Sequence, residues 1–296
     1  MKTRGEASAL VHAESLLDYY ADSSESEKLA FFKLLLEEYD LDVETLAATA
    51  AAYRDETSAE NFRDLFKNLD PLRRNLFRRL NVAPQGTAQL VRMRAELLKQ
   101  LKSHPELKPL DMDMAYLFRS WFNRGFLMMR PIDWNTPANI LEKIIAYEAV
   151  HEISNWEALR SRLEPADRRC FAFFHPVMPE EPLIFVEVAL TAQIPGQIAK
   201  VLESGRDSIR ADEATVAVFY SISNCQRGLQ GVSFGNFLIK QVAMELQAEL
   251  PGLKDFVTLS PVPGFMTWLR QQFLSTLLLS QPGHKTRHRR QRHEIF

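Results

Sequence analysis

Residues 215–268 read TVAVFYSISNCQRGLQGVSFGNFLIKQVAMELQAELPGLKDFVTLSPVPGFMTW, and this run narrows the available folds more than any other part of the chain. It opens on an apolar, β-branched and aromatic segment over 215–222, bounded by polar residues, which suits a buried strand. Gly228, Gly231 and Gly235 follow in a turn. Phe237, Leu238, Val242, Met244 and Leu246 then recur at helical spacing, and Gly252 sits just past the last of them. A second apolar run at 256–259 ends at Ser260, on the stiff Pro/Gly turn 260–264. Strand, glycine turn, crossover helix and strand make an α/β arrangement.

Such a unit favours an anion. Glycines let backbone approach a ligand closely, and the helix behind them begins with unpaired N–H groups at a positive dipole end. The pattern is neither G-x-G-x-x-G nor the GK[ST] phosphate loop. On spacing alone, a tight strand-to-helix turn explains the glycines equally well.

Upstream the chain changes character. Residues 1–108 read as helical, with Ser24 and Glu27 forming a capping box ahead of Ala30, Phe31, Leu34 and Leu35. Asp42 and Ser58 can cap two further helices, the second with Phe62, Leu65 and Phe66 inward. Asp70 followed by Pro71 opens a fourth, and Thr87 a fifth with Leu90, Met93, Leu97 and Leu101 inward. Short helices in such density imply a small bundle. The polar, two-proline segment 103–109 is the expected domain boundary. Beyond it, helices are expected up to Gly125, from Thr136-Pro137 through Val150, and after Asn155. Strands are expected at 169–174 and 183–190, and a helical piece at 194–203. Met128 and Met129 read as core. An apolar helix over 265–280 precedes a basic tail, 281–296, expected to be disordered.

Composition removes several function classes. No apolar run reaches the ~18 residues of a membrane helix, and the N-terminus lacks the apolar core of a secretory signal. Net charge is −2, but residues 284–296 carry five Lys/Arg against one Glu, leaving about −6 for the rest. That balance argues against nucleic acid as the main partner. Two cysteines, Cys170 and Cys225, make neither a disulfide framework nor a metal cluster. A reducing cytoplasm is the expected compartment.

The string FYSIS…Q-x-G-L-Q-G-V-x-x-G-x-F-L-I-K…L-S-P-x-P-G-F closely resembles the central segment of malonyl-CoA decarboxylases. The resemblance extends through WFNRGFL, Asn155-Trp156, RRCF and EPLIFVEVAL, from about Leu29 to about Leu269. It implies an α+β chain with a helical-bundle domain (1–108) followed by an acetyltransferase-like (GNAT) mixed α/β catalytic domain (109–280). It implies conversion of malonyl-CoA to acetyl-CoA and CO2. The loop Gln230, Gly231, Val232, Ser233, Phe234, Gly235 and Asn236 would bind the coenzyme A pyrophosphate, and Ser260 would be the catalytic serine. Two departures stand out. Ser233 occupies a position where the family commonly carries glutamate. A segment like the family's histidine motif, N-P-V-A-x-F-H, does not occur, so the catalytic domain is expected to be incomplete at its C-terminus. A coenzyme A-binding chain without activity and an acyltransferase of the same fold are the alternatives.

Decarboxylating a malonyl thioester leaves an enolate. The site must stabilise its oxygen, keep the departing carboxylate poorly solvated and protonate the α-carbon. The thioester is the electron sink, so no metal or organic cofactor is expected. Ser221 and Ser223 flank Ile222 and point to one side. Ser221 is the second catalytic candidate, and both hydroxyls can instead satisfy local backbone. Gln226 and Gln230 offer amide donors. Arg227 and Lys240 can pair with phosphates, although Lys240 reads better as a solvated residue. His151 and His175 lie outside the family's histidine motif. Cys225 reads as a passive small residue. The helical domain is the expected surface for a homo-oligomer.

Overall fold

Helix α1 (Lys2–Asp22) leads into α2 (Glu25–Glu37), and the turn between them shows why. Ser24 Oγ accepts from Glu27 N, while Ser24 N donates to Glu27 Oε2 at 2.8 Å. This is the reciprocal capping box that the sequence implies. Asp42 and Ser58 cap α3 (Val43–Asp55) and α4 (Ala59–Asn68) by accepting from Thr45 N and Asn61 N, without the reciprocal bond. Then come α5 (Leu72–Leu80), α6 (Gly86–Gln100) and α7 (Lys108–Trp121). The structure is a computed structural model that describes residues 2–203, 205–234, 237–260, 262 and 264–279. The tail 281–296 lies outside the described residues.

Some local expectations are not met. Asp70 makes no cap bond for α5 and instead holds Arg74 and Arg78. Helix α6 begins at Gly86, where a Cβ would lie 2.2 Å from the Leu80 carbonyl oxygen. Thr87 Oγ1 donates to Asn81 Oδ1 at 2.8 Å rather than capping a helix. On α4 no residue is buried, and Phe62 and Phe66 are 52% and 68% exposed, stacked on each other. Segment 103–109 forms a short turn and the start of α7, with Leu107 buried.

The sheet follows. Strand β1 (Met128–Pro131) was not anticipated, because it is a four-residue edge strand ending in proline. It carries the half-buried Met128 and Met129. After α8 (Ala138–Tyr147) and α9 (Trp156–Leu163) come β2 (Arg168–Phe174), β3 (Ile184–Thr191), α10 (Ile198–Leu202), β4 (Val216–Asn224), α11 (Phe237–Glu249) and β5 (Asp255–Thr258). The strand order is β1-β2-β3-β4-β5, antiparallel except for the parallel β4–β5 pair that α11 connects. This is the expected helical region plus mixed α/β sheet.

The chain divides into two compact units, Met1–Leu259 and Ser260–Phe296. In the first, one apolar cluster joins Leu90, Val91 and Leu97 of α6 and Met114 and Phe118 of α7 to Phe171, Phe173, Val186, Val188 and Phe219 of the sheet. Each such side chain, fully buried, stabilises by roughly 1.5–3 kcal/mol over exposure. A separate cluster packs Cys170, Ala172, Phe174 and Phe185 against Ile140, Ile144, Leu159 and Leu163 of α8 and α9. In the second unit, α12 (Phe265–Leu279) starts after Gly264, whose φ of +79° needs glycine, and Trp268 N donates to Gly264 O at 2.9 Å. No helix among the described residues is long and apolar enough to cross a membrane.

Candidate functional site

Strand β4 is irregular where its chemistry begins. Its register against β3 runs Phe219↔Val188 and then Ser221↔Glu187, so Tyr220 is an extra residue on β4. A bulge of this kind re-aims the side chains that follow it. Ser221 and Ser223, each 1% exposed, then share a face.

What they meet is Glu148. Helix α8 ends at Tyr147, three residues before the expected Val150, because Glu148 turns to an extended conformation (ψ 116°). Its carboxylate folds back over its own chain: Val150 N and His151 N donate to Oε1 at 2.8 and 2.7 Å. Ser221 Oγ lies 2.9 Å from Oε1 and 2.8 Å from Oε2, and Ser223 Oγ 3.1 Å from Oε2. The two hydroxyls are 3.3 Å apart, and Ala149 N donates to Ser223 Oγ at 3.3 Å. The serines therefore serve a carboxylate rather than their local backbone. A hydroxyl in contact with a carboxylate can pass its proton to that base or receive one from its acid form.

A second buried group adjoins the first. Glu187, opposite Ser221 and fully buried, receives Arg162 Nη1 on Oε2 at 3.0 Å. Burial pushes its carboxyl up to about 7, although Arg162 pulls the other way. Glu187 Oε1, the Tyr220 hydroxyl and His151 Nε2 are buried polar atoms with no hydrogen-bond partner among the described residues. The His151 and Tyr220 rings lie 6.4 Å apart. Burial also raises the Tyr220 phenol and the Cys170 and Cys225 thiols. Cys225, 4% exposed, is therefore held as an unreactive thiol.

Past Asn224 the strand runs into the glycine turn. Leu229 N, Gln230 N and Val232 N donate to Gln226 O, Arg227 O and Leu229 O at 2.9, 3.0 and 2.9 Å, coiling the backbone tightly. Gly231 sits at φ +77°, exposed, with open space within 4 Å of where a Cβ would stand. Gln230 and Ser233 are exposed, while Val232 and Phe234 are buried. Gly235 and Asn236 lie outside the described residues. A cavity of about 280 Å³ opens between this turn and Leu183, lined also by Asn224, Gln226 and Arg227. The Gln226 amide is committed to Pro182 O at 3.1 Å, so Gln230 is the freer of the two candidate amides.

The remaining candidates are scattered. Arg227 and Lys240 are exposed. His175 packs against the Phe122 and Phe126 rings at 5.2 and 6.1 Å, and burial lowers its pKa. It takes no part in the Glu148 cluster, whereas His151 does, through its backbone. Ser260 is exposed and begins the second unit. Leu259 before it donates its N–H to Phe219 O at 2.9 Å.

Sequence reasoning missed Glu148 and Glu187. Glu148 falls inside the segment expected to be helical through Val150, where nothing local marks it. Glu187 was visible as a lone charge inside LIFVEVAL, a pattern that signals a paired or functional buried carboxylate.

Comparison with known proteins bears on the whole arrangement. The family model for the malonyl-CoA decarboxylase C-terminal domain matches residues 125–289, and that for the N-terminal domain matches residues 39–122. A goose (Anser anser anser) mitochondrial malonyl-CoA decarboxylase is 40% identical over 207 residues, 68% of this chain and 41% of the relative. The chain thus spans less than half the length of the curated relatives it matches. Among solved structures, malonyl-CoA decarboxylase from Rhodopseudomonas palustris superposes with a TM-score of 0.86 at 52% identity, over 94% of this chain and 66% of that one. The enzyme from Agrobacterium vitis gives 0.86 at 55% identity, over 91% and 66%.

Proposed function

Because this chain belongs to the malonyl-CoA decarboxylase family, we propose that it binds malonyl-CoA and carries out chemistry of its conversion to acetyl-CoA and CO2. One observation carries the reading. The Glu148–Ser221–Ser223 cluster sits on the strand that runs directly into the glycine turn.

The turn and the 230–236 loop take the coenzyme A pyrophosphate, through close backbone approach and the N-terminus of α11. Decarboxylation consumes one proton at the α-carbon. Ser221 supplies it from Oγ, and Glu148, its hydrogen-bond partner at 2.8–2.9 Å, is the group that relays a proton back to that oxygen. The half-buried Glu148 carboxyl exchanges with solvent. The resemblance gives Ser260 an acid–base role as well. The thioester carries the developing charge, so this step requires no further cofactor. Cytoplasmic placement and a homo-oligomer through the helical region belong to the same proposal. The exposed Phe62 and Phe66 support the latter; the goose and rat relatives are mitochondrial by name.

The test pairs coenzyme A calorimetry with malonyl-CoA-dependent CO2 release, on purified chain and on Ser260→Ala. Binding with release that Ser260→Ala suppresses supports the proposal. Binding without release would reduce it to a coenzyme A-binding chain, and loss of both would overturn it.

A further inference from the structure

Helix α6 belongs to the helical region, yet it holds the base of the glycine turn. Arg94 is 3% exposed. Its Nη1 donates to Gly228 O at 2.6 Å, across 134 residues of sequence. Its Nε and Nη2 both reach Asp111 Oδ1 on α7, at 2.9 and 2.8 Å. One guanidinium therefore ties two helices to one loop carbonyl with charge-assisted bonds. The backbone contact beside it is equally close. A Cβ on Gly228 would lie 1.8 Å from Val91 O and 2.9 Å from Val91 Cγ1. Only glycine lets the turn rest on α6 at that distance. Leu229 and Val232 are buried in the same cluster as Leu90 and Val91, while Gly231 between them faces outward at φ +77°.

We propose that Arg94, oriented by Asp111, is a positioning residue for coenzyme A. It touches no substrate. It fixes the Gly228 carbonyl, and with it the path of the turn whose Gln230 and Val232 N–H groups are spent on Arg227 O and Leu229 O and whose backbone leads on into the loop. A preorganised loop binds an anion without the cost of ordering it. The proposal rests on the reading of the loop as the coenzyme A site.

Arg94→Met removes the bond to Gly228 and leaves Asp111 paired with Lys108 Nζ at 2.5 Å, so no bare charge remains on α7. Arg94→Lys keeps charge but cannot span both partners. Coenzyme A affinity is measured by calorimetry, and pantetheine, which lacks the phosphates, by ligand-observed NMR. Thermal melts confirm that each variant is folded. Gly231→Val reports on the loop itself. Both Arg94 variants are expected to weaken coenzyme A roughly 10-fold, the scale of one charge-assisted hydrogen bond, with pantetheine unchanged. Folded Arg94 variants that bind coenzyme A like wild type, while Gly231→Val does not, would overturn the positioning role alone. Equal losses for both ligands would make Arg94 a general structural residue and also overturn it. Unchanged affinity in Gly231→Val would instead remove the loop assignment.

Discussion

Phe171, Phe173, Val186, Val188 and Phe219 pack in one apolar cluster with α6, α7 and α11. On the same strands, Cys170, Glu187, Ser221 and Ser223 pack on the side of α8 and α9, where an acid, an arginine and two hydroxyls are buried together. Burying polar groups costs stability unless they are paired. The first side is mostly apolar, although the buried Arg94–Asp111 pair lies between α6 and α7 and His175 Nε2, beside Phe122, has no hydrogen-bond partner among the described residues. The second concentrates three such atoms, on Glu187, Tyr220 and His151, with a carboxylate and two hydroxyls, a grouping typical of functional sites.

The comparison breaks most visibly on the apolar side. Phe173→Ala, at a fully buried position, should destabilise by about 3–5 kcal/mol. Ser223→Ala on the other side should cost about 1 kcal/mol. Denaturant unfolding checks both, and equal losses would erase the distinction between the two sides.

Glu187 sharpens it through pH. Its carboxyl is raised from 4.5 to about 7, so the folded state holds the proton more tightly than the unfolded one. Its contribution is present below pH ~4.5 and is lost as pH rises to ~7. The melting temperature of wild type minus that of Glu187→Gln should therefore fall by a few degrees across this window and level off above it. A flat difference would show that Arg162 keeps Glu187 ionised throughout.

The smallest effect is expected on α4, which contributes to neither side. Phe62→Ser with Phe66→Ser should shift stability by less than about 0.5 kcal/mol. If these rings form the proposed homo-oligomer contact, light scattering will show a lower mass. An unchanged mass places the contact elsewhere or removes it.

Much of this architecture was legible in the sequence because local chemistry decided it. The Ser24, Asp42 and Ser58 caps all form and a helix follows Asn155, and the strands that were expected fall within one or two residues of the apolar runs. The failures concern side-chain partners. Asp70 and Thr87 bond Arg74, Arg78 and Asn81 instead of a helix end, and Phe62 lies on a helix that buries none of its residues. Arg94 illustrates the limit. It lies within the stripe of Leu90, Met93 and Leu97, where a charge signals a buried partner, but no local pattern names Gly228. At the site, the spacing of Ser221 and Ser223 foretold their shared face. Glu148, 73 residues away from Ser221, could not be paired with them before the fold was known.

The central claim is that the polar side of the sheet works on malonyl-CoA through Glu148. Its most direct test is the rate of CO2 release from saturating malonyl-CoA by wild type and by Glu148→Gln, which keeps the size and shape of the side chain without the titrating group. The account predicts a fall in kcat of about 10²–10⁴, with coenzyme A affinity kept within about twofold. Release by Glu148→Gln at the wild-type rate would contradict it.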